Sequence, residues 1–167
     1  RKFQKPAVFE EQSVFANLEL AISSKKNIFG RIFTKLSSLD FDRILVMGET
    51  ISLSSKLGKP AGTLSHGEKQ WLEMGMLLIS DPKLMLLDEP VAGMTASEID
   101  RTAELLLSLS VSTAILVVEH DMEFVRKIAD QITVMDQGSV IAEGDMAQIQ
   151  SDRKVREVYL GEGRLSF

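Results

Sequence analysis

Leu84-Met85-Leu86-Leu87-Asp88-Glu89-Pro90 is a short aliphatic run that ends in two adjacent carboxylates and a proline. Apolar residues closed off in this way read as a buried strand that stops at the proline. Side chains alternate across a strand, so Asp88 and Glu89 are expected to face opposite ways, one toward a magnesium ion and the other toward an attacking water. Taken alone, the stretch reads about as well as an acidic strand-to-loop junction with no chemistry.

Working outward, short apolar runs alternate with helical patterns from Leu84 onward, which is the grammar of a parallel sheet with crossover helices. Ala114–Val118 and Ile132–Asp136 are the further strands. Between the first two strands, Thr95-x-x-Glu98 is a capping box for a helix reaching about Leu109, with Ile99, Ala103, Leu106 and Ser110 at helical spacing. Asp136-Gln137-Gly138-Ser139 reads as a tight turn into Val140–Glu143. Upstream the pattern is helical. Val14, Phe15, Leu18, Ala21 and Ile22 lay one stripe on a helix with Ser13 as its cap, and Phe41, Ile44, Leu45, Gly48 and Ile51 mark a second helix, ended by Ser54-Ser55 and Gly58-Lys59-Pro60. Residues 23–38 read as an irregular connection. The expected organisation is a leading segment, 1–9, a helical part, 10–82, an α/β part, 83–145, and a helical tail, 146–167.

Two more stretches can carry chemistry. Leu64-Ser65-His66-Gly67-Glu68-Lys69-Gln70 contains the capping box Ser65-x-x-Glu68, opening a helix that runs to about Ser80. A glycine inside a first helical turn costs roughly 1 kcal/mol relative to alanine, so Gly67 implies that something approaches the backbone there. A hydroxyl, a bare glycine and free N–H groups at a helix N-terminus suit an anion. Val117-Val118-Glu119-His120-Asp121-Met122 delivers one of only two histidines to the end of a strand. Strand ends of an open α/β sheet border the crevice where such sheets bind ligands.

Composition narrows the classes. The 167 residues carry 19 basic and 24 acidic side chains, a net charge of -5, and no cysteine. Thiol nucleophiles, disulfides and cysteine-ligated zinc are excluded, and a reducing compartment fits. No apolar run approaches the roughly 20 residues of a membrane span. No basic block exceeds Lys25-Lys26, so a nucleic-acid partner is not expected.

Order and spacing of these stretches carry a resemblance. Leu64–Glu68 resembles the signature motif of ATP-binding cassette (ABC) ATPases, Leu84–Glu89 resembles their Walker B strand, and His120 stands where their switch histidine follows a strand. Gln4, in Lys2-Phe3-Gln4-Lys5-Pro6, resembles their Q-loop glutamine, and Ala92-Gly93-Met94-Thr95 their D-loop, with Thr95 in place of the usual aspartate. The resemblance implies an α/β fold, the C-terminal part of a P-loop NTPase with a parallel sheet and a helical subdomain. It implies ATP and Mg²⁺ as cofactors and assigns roles. Asp88 holds Mg²⁺ through water, Glu89 polarises the attacking water, and His120 contacts the γ-phosphate. Gln4 senses Mg²⁺ and water and links the site to membrane subunits. Ser65, Gly67 and Glu68 bind the ATP of an opposing cassette.

Asp88–Met94, Glu119–Met122 and Val158-Tyr159-Leu160-Gly161 are similar to the importer group that includes branched-chain amino acid transporters. Lys69–Glu73 with Gly75–Leu78 looks most like the urea-importer ATPases of that group. The implied partners are a second ATPase subunit, transmembrane permeases and, indirectly, a periplasmic solute-binding protein, at the cytoplasmic face of the inner membrane. Urea or short amides are the expected cargo, with branched-chain amino acids as the alternative. The motif Gly-x4-Gly-Lys-Ser/Thr does not occur in the 167 residues; Gly58-Lys59 is followed by Pro60. With Arg1 at the start, the sequence reads as cut at the Q-loop, its P-loop lobe upstream. Val8 and Phe9 read equally well as a surface for docking a membrane subunit and as ordinary core. A soluble ABC ATPase of DNA repair or translation and a degenerate half-cassette serving dimerisation are the competing readings.

Overall fold

Val14, Leu18 and Ile22 lie one helical turn apart and are all buried, forming the inner stripe of α1 (Val14–Ser23). The Ser13 hydroxyl accepts from the Ala16 N–H at 3.0 Å and caps the helix as expected. This computed structural model describes residues 8–23 and 36–160; the expected connection at 23–38 falls mostly outside them. Contacts divide the chain into two units, Arg1–Glu119 and His120–Phe167.

In the first unit α1 packs on α2 (Ser38–Thr50) and α3 (His66–Leu78). Ser37 caps α2 by accepting from Asp40 N–H. The helix ends at Thr50, before the expected breakers, because Ser52 turns to φ 59 and Ser52 and Leu53 hydrogen-bond back to Glu49 and Gly48. Only part of its expected stripe is inward. Ile44, Gly48 and Ile51 are buried, whereas Phe41 is largely exposed and meets the Phe15 ring at 5.4 Å. Gly75 lets α3 approach its neighbours: a Cβ there would stand 2.7 Å from Ile51 Cδ1. On α3 Met74 is core, whereas Met76 is only half-buried.

β1 (Leu84–Asp88) and β2 (Ala114–Val118) pair in parallel, Leu84 opposite Ala114 through Asp88 opposite Val118, with α4 (Ala96–Ser110) as the crossover. That is the α/β arrangement expected, although β1 is not buried on both faces. Met85 and Leu87 are inward, while Leu84 and Leu86 are 54% and 66% exposed and share their face with Leu116 and Val118. Among the described residues this sheet has only two strands, and no layer covers that face.

In the second unit Asp121 caps α5 (Met122–Ile128). Among the described residues Ile132–Asp136 does not extend the parallel sheet as expected; it is β3 of an antiparallel hairpin with β4 (Ser139–Gly144), closed by the tight turn expected at Asp136–Ser139. The reason is the connection. Gln137 and Gly138 have φ 47 and 80, the pair of positive values that a two-residue hairpin turn requires, and a parallel neighbour cannot be reached in two residues. A capping box of Asp145 and Gln148 opens α6 (Met146–Ser151), followed by short turns to Leu160. No helix among the described residues is long and apolar enough to cross a membrane.

Candidate functional site

β1 delivers Asp88 to its carboxyl end, on the exposed face. Strand alternation does not place Glu89, contrary to the sequence reading, because the strand has already ended: Glu89 lies at φ 53. A non-glycine residue there costs on the order of 1–3 kcal/mol, and the following proline disfavours helical values further. The surroundings hold it in place. Glu89 N–H donates to Val118 O at 2.8 Å, and its own carbonyl accepts from Ala92 N–H at 3.2 Å, closing a turn with buried Pro90 second. Glu119 braces the same turn, its Oε1 accepting from Val91 N–H at 3.2 Å.

The N-terminus of α3 has the expected capping box. Ser65 Oγ accepts from Glu68 N–H at 3.2 Å, and Glu68 Oε2 accepts from Ser65 N–H at 3.1 Å. Lys56 pairs with the other oxygen of Glu68. Burial by itself pushes the Glu68 carboxyl up, but the Lys56 ammonium and the Ser65 N–H outweigh it and hold the group below its ordinary value.

Gly67 is explained within the chain. A Cβ at this position would stand 2.6 Å from Glu98 Oε1, so the group approaching this backbone is a carboxylate of α4. Glu98 closes the α4 capping box: its Oε2 accepts from both the N–H and the hydroxyl of Thr95, each at 2.8 Å. Its Oε1 accepts from the Ser65 hydroxyl at a longer 3.4 Å. These bonds, the Thr95 N–H first, hold Glu98 below its ordinary carboxyl value. His66 adds another link, its Nε2 lying 3.1 Å from Ala92 O and its ring close to Gly93, which has φ 73.

The structure therefore brings Ser65 and Gly67 together with Ala92, Gly93 and Thr95. The two residues that join them, Glu98 and His66, were not expected in this role. The capping-box spacing marked Glu98, but its reach to Ser65, 33 positions away, has no local signal. Deeper in the same contact, Trp71 Nε1 donates to Thr102 Oγ1 at 2.9 Å, the Arg101 guanidinium lies 5.3 Å from the Trp71 ring centre, and Thr102 Oγ1 contacts Met94. His120 is exposed and opens the second unit. Gln4 lies outside the described residues. Among the described residues no group of three or more His, Cys, Asp or Glu gathers as a metal nest. One or two carboxylates nevertheless suffice for Mg²⁺ when substrate phosphates complete its shell, and Asp88 at an open strand end fits that use.

Comparison with known proteins decides the family. The family model "ABC transporter" matches residues 2–92. The high-affinity branched-chain amino acid transport ATP-binding protein LivG of Escherichia coli (strain K12) is 33% identical over 171 residues, covering 97% of this chain and 67% of LivG. The chain belongs to the ABC transporter family. A second family model, "Branched-chain amino acid ATP-binding cassette transporter", matches residues 139–164. BraF of Pseudomonas aeruginosa, also a branched-chain amino acid transport ATP-binding protein, is 35% identical over 68% of this chain and 46% of BraF. The molybdenum import ATP-binding protein ModC of Rhodopseudomonas palustris is 30% identical over 99% of this chain and 43% of ModC. Among solved structures, the ABC transporter cassette MJ1267 matches with a TM-score of 0.79 and 28% identity, covering 95% of this chain and 67% of that one. The chain thus spans about two thirds of the length of LivG and of this cassette.

Proposed function

We propose that the chain is the greater part of an ATP-hydrolysing subunit that energises an ABC importer, with branched-chain amino acids as cargo. The strained turn at Glu89 carries the catalytic part of this reading: strain of this kind is retained where a side chain must be aimed, and Glu89 follows directly on the one carboxylate, Asp88, that ends β1. In the proposed reaction Glu89 would accept a hydrogen bond from the attacking water and so polarise it, and Asp88 would hold Mg²⁺ through water. His120 would contact the γ-phosphate, and Gln4 would sense Mg²⁺ and its water. Ser65, Gly67 and Glu68 present the N-terminus of α3 to a nucleotide held by a second subunit. Mg²⁺, bound with ATP, supplies neutralisation of phosphate charge, and positioning supplies most of the rest.

LivG and BraF are named for branched-chain amino acids and match over most of the chain, so the urea expectation gives way to its alternative. ModC, named for molybdenum, is nearly as similar, which fits a cargo chosen by other subunits. The proposed partners are a second cassette and transmembrane permeases, at the cytoplasmic face of a membrane.

In the complete protein, Glu89→Gln is expected to leave MgATP binding intact and to slow turnover roughly a hundredfold or more; unchanged turnover overturns the role of Glu89. Uptake of labelled leucine and urea by cells lacking the gene decides cargo: loss of urea uptake alone overturns the branched-chain reading. The 167 residues by themselves, having no Gly-x4-Gly-Lys-Ser/Thr, are expected not to bind MgATP tightly, and micromolar binding in a calorimetric titration overturns that.

A further inference from the structure

Resting on the reading of α3 as the helix that meets a nucleotide, we infer that Glu98 is a positioning residue that carries the arrival of a phosphate at α3 to the 92–95 turn, by competing with that phosphate for the Ser65 hydroxyl. A serine hydroxyl has one hydrogen to give. The Ser65 oxygen already accepts from Glu68 N–H, and its hydrogen goes to Glu98 Oε1. A phosphate oxygen at the same helix N-terminus needs that same hydrogen. It also needs the same space. The patch left open by the missing Cβ of Gly67 is the patch Glu98 Oε1 approaches.

The two oxygens of Glu98 have unequal holds. Oε1 makes a single long bond to Ser65 at 3.4 Å, while Oε2 takes two bonds of 2.8 Å from Thr95. An incoming anion therefore displaces the Ser65 end and leaves the Thr95 end attached. The carboxylate pivots about Thr95, and the contact of His66 with Ala92 keeps the first turn of α3 in register with the loop that starts at Glu89. Two negative groups close to one helix N-terminus repel, so Glu98 raises the nucleotide concentration needed to close the site.

The test is Glu98→Gln in the complete transporter, reading ATPase rate against MgATP. An amide at this position still accepts from Thr95 N–H in the capping box but carries no charge. The expected result is a KM for MgATP lowered roughly two- to fivefold, with a flatter dependence of KM on salt. A role confined to helix capping predicts no such shift. Glu98→Ala, which removes the charge without leaving an amide, should shift KM in the same direction. On a Ser65→Ala background either change should have a clearly smaller effect, because the contested hydrogen is gone and only the charge and the bulk of Glu98 are left to oppose the phosphate. An unshifted KM in a folded variant, or a shift that persists in full without the Ser65 hydroxyl, overturns the inference while leaving the ATPase reading intact. A wild-type complex that hydrolyses no MgATP overturns both.

Discussion

Trp71 and Thr102 meet across 2.9 Å, the indole N–H donating to the hydroxyl oxygen, with both side chains buried. Thr102 in turn gives its own hydrogen to Glu98 O at 2.8 Å, so α3 is tied to the same turn of α4 that carries the Glu98 carboxylate. Thr102→Val removes the acceptor and strands a buried N–H, which costs about 1–3 kcal/mol. Adding Trp71→Phe removes the stranded donor, so the second change should cost less in the Thr102→Val background than alone. Urea unfolding of the four proteins measures this coupling, and strict additivity of the two changes contradicts it.

Asn17 is a second buried polar anchor. Its Oδ1 accepts from Phe9 N–H at 2.8 Å, and its Nδ2 donates to Phe9 O at 3.1 Å and Ser13 O at 2.9 Å. These bonds fix the backbone of Phe9 while leaving its ring 57% exposed, so the reading of Phe9 as core does not hold. Asn17→Ala is expected to lower stability by about 1–3 kcal/mol and to speed amide exchange at Phe9 above that at Leu18. Equal acceleration at both sites would mean that Asn17 supports the whole helix and not this segment.

Gly67→Ala sets two effects against each other. Alanine favours the helix by roughly 1 kcal/mol, while its methyl group must push away the end of a flexible glutamate. The net change in unfolding free energy should stay below about 1 kcal/mol. With Glu98→Ala already in place the methyl has room, and the same substitution should become stabilising. Thermal midpoints of the single and double variants are the measurement; a Gly67→Ala that destabilises equally in both backgrounds would place the crowding elsewhere.

Acid sensitivity follows from the two capping carboxylates. Glu68 and Glu98 are both held below their ordinary value in the folded chain, so the unfolded chain takes up protons first as pH falls. The stability they contribute is complete above the unfolded value near 4.5 and is lost as pH drops from there through the lower folded values. Urea midpoints measured between about pH 3 and 7 should fall more gently in Glu68→Gln and Glu98→Gln than in the wild-type chain. An unchanged slope would show that neither proton is linked to folding.

Local rules made much of this legible in advance. β1 and β2 occupy the expected residues because aliphatic runs bounded by turns leave little choice, and Ser13, Ser65 and Thr95 cap helices because only the next few residues matter to a cap. What escaped the sequence depends on distance or on a sign change. The reach of Glu98 to Ser65 is tertiary, and the direction of Glu89 follows a φ of 53 that periodicity cannot encode. Gly67 shows both sides: its helical misfit predicted a close approach, but the group that approaches is the protein's own.

The backbone at Glu89 has a bearing on engineering. A glycine or asparagine would sit at φ 53 with less strain than glutamate, so heat-driven selection on this chain is expected to enrich such replacements at position 89. The winners of that screen would be hardier proteins without the carboxylate proposed to drive turnover. Libraries built for thermal tolerance should therefore hold this codon fixed.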